Sequence, residues 1–148
     1  YIFVPFGTGQ LYENIMNVVK QELSYKACDP RYRGAQRILK RTSILGATTH
    51  NAKSRATKLY APFLPFANYS QQWIRFYRHA GLTGSMSKVY ELQERNLDRA
   101  IALAKQQGID CEPSGIAGLG LLLQMKDRIP HNKKILIVNT GKTKYEAL

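Results

Sequence analysis

Tyr1-Ile2-Phe3-Val4-Pro5-Phe6-Gly7-Thr8-Gly9-Gln10-Leu11 sets an apolar run, a Gly-Thr-Gly turn and an amphipathic pattern end to end. Residues 1–5 carry β-branched and aromatic side chains and no charge, the composition of a buried strand. Gly7 and Gly9 lack a Cβ, so their amides can approach a ligand closely and adopt positive φ. After the turn, Leu11, Ile15, Val18, Val19 and Leu23 recur at helical spacing. They predict a helix over Gln10 to Tyr25 with that set as its buried face. The first amides of such a helix point back at the turn, where they and the helix dipole favour a phosphate.

A strand–Gly-x-Gly–helix unit is common. Tyr12 stands where a dinucleotide fingerprint has its third glycine, and no Gly-Lys-Ser/Thr ends a triphosphate loop. A plain strand-to-helix connection accounts for the turn equally well. Ligands of open α/β sheets do collect beyond the carboxyl ends of strands.

The 148 residues suit a single domain with a real core, and 44% hydrophobic content is ordinary for a globular chain. No apolar run is long enough to span a bilayer. Tyr1 already lies in a strand, so residues 1–148 are expected to be the C-terminal portion of a longer chain. The net charge of +12, from 22 Lys+Arg against 10 Asp+Glu, would attract polyanions. The basic residues are densest from Lys26 to Lys58, but no nucleic-acid motif accompanies them. A solvated basic surface is therefore favoured over a nucleic-acid partner. Cys28 and Cys111, and His50, His79 and His131, are dispersed, so no metal site is expected. Reduced thiols point to a cytoplasmic chain.

Cys28-Asp29-Pro30 should break the first helix. Residues 42–47 read as a second buried strand ending in Gly46, Ala47, Thr48 and Thr49, and residues 50–58 as a short basic helix. The aromatic segment 60–79 reads as a packed satellite cluster, with Ser70 capping a helix over Gln71–Arg78. It could equally stack on bases, close a lid or meet a subunit. Lys88–Leu92 alternates like a strand, and Glu94–Gln107 is an amphipathic helix ended by Gly108. Ile109–Cys111 predicts a brief strand. Glu112-Pro113-Ser114-Gly115 predicts a helix start, with Ile116, Leu119, Leu122 and Leu123 as its core face and Gly115, Ala117, Gly118 and Gly120 as a small face. Lys134–Val138 is a last apolar strand, leading to Asn139-Thr140-Gly141-Lys142. This alternation predicts an α/β fold, a three-layer sandwich with a mostly parallel sheet flanked by helices.

Three segments in this order resemble the C-terminal part of the fold-type II pyridoxal-phosphate enzymes, the tryptophan synthase β-subunit-like group that includes threonine synthase, threonine deaminase and cysteine synthase. Val4-Pro5-Phe6-Gly7-Thr8-Gly9 resembles the family's strand and phosphate loop. Residues 108–118, with Glu112-Pro113-Ser114-Gly115, are similar to its Glu-Pro-Ser/Thr-Gly-Ala segment. Residues 137–142 resemble the late strand whose hydroxyl residue meets the pyridine nitrogen. The resemblance covers most of the chain, poorly from about Thr48 to Ser87.

The resemblance implies that the cofactor is pyridoxal 5'-phosphate. It implies that amides of Gly7, Thr8, Gly9, Gln10 and Leu11 bind the phosphate and that Thr140 meets the pyridine nitrogen. Glu112 would be structural or part of a cation site. Relatives carry further glycines where this chain has Gln10, and an acidic residue and proline where it has Ala47-Thr48. The lysine that holds the cofactor covalently belongs to an upstream segment of the family, so no catalytic residue is assigned within 1–148. The implied function is a lyase or synthase acting on an amino acid, with a homodimer as the family's habit. The alternatives are a phosphate- or nucleotide-binding module without catalysis and a basic interaction domain of the same fold.

Overall fold

In a computed structural model that describes residues 1–25, 30, 33–61, 72 and 74–142, every strand runs in the same direction. β1 (Ile2–Pro5) pairs on one side with β2 (Ile44–Thr48) and on the other with β4 (Leu136–Ile137). β3 (Lys88–Glu91) pairs with the far side of β2, giving the order β3-β2-β1-β4. Phe3 lies opposite Leu45 and Ile137, and Leu45 opposite Lys88. Every residue of β2 is buried, as the continuous apolar reading of a two-faced parallel strand requires. Proline is unusual in a central strand, because it has no N–H to donate. Pro5 is tolerated because Ile2 and Phe6 donate towards β2, which leaves Pro5 facing β4 just beyond the last β1–β4 rung.

Alternate residues face opposite layers. Val4, Phe6 and Ile44 pack against Tyr12, Met16 and Val19 of α1 (Gln10–Tyr25) and against Ile74 and Tyr77 of the helical residues 74–79. Phe3, Leu45 and Ala47 pack against Leu97 and Ala100 of α3 (Glu94–Gln106) and Leu121 of α4 (Ala117–Met125). The molecule is thus the expected α/β sandwich. α2 (Arg33–Arg41), which the sequence reading did not single out, has no buried residue and precedes β2. No helix among the described residues is long and apolar enough to cross a membrane.

Several local expectations need correction. The buried face of α1 is Tyr12, Met16 and Val19, whereas Leu11 and Val18 are exposed. Tyr12 can be buried because its hydroxyl donates to the Ile44 carbonyl. Residues 50–58 form no basic helix; one 3-10 turn covers Thr57–Leu59. Ile109–Cys111 is not a strand, since Gly108 (φ 68°) and the Ile109 N–H, bonded to Ala104, close a Schellman cap on α3. The helix after Glu112 starts at Ala117, with residues 113–116 forming a turn. Its small side is the side that packs: Gly118 lies against the Phe3 carbonyl and Gly120 against Leu92. Leu119, Leu122 and Leu123 are only partly buried. The break at residues 28–29, the aromatics Phe63, Phe66, Tyr69 and Trp73, and the Ser70 cap lie outside the described residues.

Candidate functional site at the β1–β4 junction

The chain leaves β1 through α1 on one face of the sheet and reaches β4 through α3 and α4 on the other. Parallel crossovers are right-handed, so a change of face means a change of direction along the sheet. That reversal falls between β1 and β4. In open α/β sheets ligands tend to bind at such a reversal, beyond the carboxyl ends of the strands.

The glycine loop occupies the β1 side. Gly9 has φ 91°, a conformation that favours glycine, and its carbonyl accepts the first bond of α1 from the Glu13 N–H at 2.9 Å. Among the described residues, the amides of Gly7, Thr8, Gly9, Gln10 and Leu11 have no backbone acceptor. The side chains of Thr8, Gln10 and Leu11 are exposed. The result is a row of donors, unpaired with the described backbone, at the positive end of a long helix.

The β4 side is built against the turn before α4. Glu112 N–H donates to the Gly141 carbonyl at 3.1 Å, and Thr140 N–H to the Gly115 carbonyl at 3.4 Å. A Cβ on Gly115 would lie 2.5 Å from the Gly141 oxygen and 3.2 Å from Thr140 Oγ1, so glycine is required for this approach. Gly141 itself has φ 78°, and its N–H donates to Asn139 Oδ1 at 2.9 Å. Thr140 is exposed. Because Phe3 pairs with Ile137, the glycine loop and Thr140 follow one rung of the ladder on neighbouring strands.

A third segment ties the two sides together. Ser54, Ala56 and Leu59 are buried, and the Lys58 carbonyl sits 2.7 Å from where a Gly7 Cβ would be. Lys58 N–H donates to Ser114 Oγ at 3.2 Å, and its ammonium stands 2.6 Å from Glu112 Oε2. Glu112 is therefore tied to Lys58. Ser114 belongs to the Glu112-Pro113-Ser114-Gly115 motif, whereas Lys58 has no local signature, being one lysine in a basic stretch. Among the described residues no group of His, Cys, Asp and Glu is arranged to hold a metal. Burial, and then Asp110, push the Cys111 thiol up, which makes it a poor nucleophile.

The fold thus brings residues 7–11 and Thr140 to adjacent strand ends and adds Lys58, Glu112, Ser114 and Gly115 as their support. No protein-family model matches the sequence, and a search of curated proteins gives no significant match.

Proposed function

We propose that this chain is the C-terminal region of a pyridoxal-phosphate-dependent lyase or synthase acting on an amino acid. The observation that carries the proposal is the run of amides from Gly7 to Leu11, without a backbone acceptor among the described residues, at the sheet's switch point. Phosphate oxygens are acceptors only, and consecutive free N–H groups at a helix start complement them. The Thr8 hydroxyl adds one donor. Thr140 stands on the neighbouring strand end, where its hydroxyl would meet the pyridine nitrogen. The donor set therefore fits the cofactor's phosphate and ring nitrogen.

Bound pyridoxal phosphate supplies an electron-withdrawing ring through which bonds at an amino acid's α-carbon are broken. The chain's own part is binding and orientation. The loop amides would hold the phosphate, and Thr140 would hold the ring nitrogen through a neutral hydroxyl. A neutral partner adds no proton to that nitrogen, which suits replacement and elimination chemistry. Lys58 and Glu112 join the segment beside the glycine loop to the turn beside Thr140. In the family that residues 4–9, 108–118 and 137–142 resemble, the lysine that holds the cofactor covalently lies upstream of the phosphate loop.

The test is visible absorbance of the intact protein before and after borohydride. A yellow band that borohydride removes, leaving a reduced pyridoxyl group on one upstream lysine, supports the proposal. A colourless protein that takes up inorganic phosphate but no cofactor overturns it in favour of a phosphate-binding module.

A further inference from the structure

A second concavity, of about 350 Å³, lies at the other margin of the sheet, between the helical residues 74–79 and the edge strand β3. Arg75, Arg78, His79 and Lys88 line it, with Ser87 between strand and core. Among the described residues no carboxylate lines it. No described ion pair engages Arg75, Arg78 or Lys88, although Arg55, Lys58 and Lys142 each have an acidic partner. Lys88 Nζ lies 5.7 Å from the centre of the Tyr90 ring, and burial raises the Tyr90 phenol while the field of Arg128 and Arg78 opposes it. Arg75, Arg78, His79 and Lys88 are thus gathered around one concavity.

The backbone adds a donor. Leu92 N–H bonds to the Thr48 carbonyl, so Tyr90 and Lys88 also face β2 by the alternation of a parallel strand. Val89 faces the other way, towards the concavity it lines, where no strand pairs among the described residues. Ile74 is buried as part of the floor, and Ser87 is held in the core, its Oγ accepting from Ile44 N–H at 3.0 Å. Cations that line one concavity raise its positive potential, which favours an anion. Guanidinium groups bind phosphate through paired, charge-assisted hydrogen bonds.

We propose that this concavity is a binding site for a small phosphorylated ligand, separate from the Gly7–Gly9 loop. The volume matches a small-molecule site. It lies at the amino end of β3, whereas the glycine loop lies at the carboxyl end of β1, two strands away. The proposal is independent of the cofactor reading.

Inorganic pyrophosphate is the probe, followed by calorimetry and by ¹H–¹⁵N spectra of the full chain at low and moderate salt. Saturable binding that shifts the amides of residues 75–79 and 87–89 is expected, weakening as salt rises. Arg75→Gln, an exposed change that leaves packing alone, should weaken it about tenfold, and the R75Q/K88Q pair further. Shifts confined to residues 7–11, or affinity unchanged in R75Q/K88Q, overturn the proposal. So does an absence of pyrophosphate binding, including the case where a single-stranded oligonucleotide binds the same rim.

Discussion

The Lys58 ammonium lies 2.6 Å from Glu112 Oε2, which joins the segment after β2 to the turn before α4. The same residue's carbonyl packs under Gly7, so one lysine spans the glycine loop and the support of Thr140. Side-chain exposures of 36% and 20% leave the pair partly screened by water. A double-mutant cycle with Lys58→Met and Glu112→Gln should give a coupling of about 1 kcal/mol in urea unfolding. A coupling of zero would mean that the pair plays no part in bracing the site.

Glycine-to-alanine changes should have opposite signs at two positions. At Gly115 the new methyl would strike the Gly141 carbonyl, and displacing that turn should cost about 1–3 kcal/mol. At Gly34, near the start of α2, nothing lies within 4 Å of the new atom. There the change should stabilise by about 0.4–1 kcal/mol, because alanine restricts the unfolded chain. Denaturation midpoints of the two variants measure the contrast directly.

Tyr12→Phe should cost about 1–2 kcal/mol at neutral pH, since it removes the donor to the buried Ile44 carbonyl. Its alkaline behaviour is more specific. Burial, and secondarily Tyr90, hold the Tyr12 phenol well above its ordinary value of 10.0. The unfolded chain therefore loses this proton first as pH rises. The stabilisation is complete below about pH 10 and declines above it, at up to about 1.4 kcal/mol per pH unit. Tyr90, also raised, acts in the same direction. Stability followed from pH 8 to 11 should fall less steeply in Tyr12→Phe than in the parent.

Pyridoxal phosphate at about 100 times its dissociation constant should stabilise the protein by about 2.7 kcal/mol. Thr140→Val should weaken that response while leaving any response to inorganic phosphate unchanged. Gly9→Ala should weaken both, because Gly9 has φ 91° and alanine there costs about 1–2 kcal/mol. Thermal shifts with the two ligands separate the ring contact from the phosphate contact.

Much of the fold was legible in the chain. The uncharged run before Gly7 and the helix from Gln10 to Tyr25 appear where the pattern puts them. Gly108 ends α3 as a glycine should. The face of α1 was misjudged because two stripes one residue apart are both apolar. The choice fell to Tyr12, whose hydroxyl finds a carbonyl on β2. Periodicity also could not say which side of α4 meets the sheet. A side containing Gly118 and Gly120 lets the backbone of β1 approach closely, and large leucines there would hold it off.

Local chemistry in the sequence determined the strands, the glycine turn, the helix that follows it and the parallel α/β class. These depend on propensity and periodicity over a few neighbouring residues. The tertiary structure alone decided that β4 lies beside β1, that the change of layer falls between them, and that Lys58 meets Glu112. It alone gathered Arg75, Arg78 and Lys88 around one concavity at the opposite margin. Such pairings join residues far apart in the chain, and the strand order that makes them neighbours leaves no periodic trace.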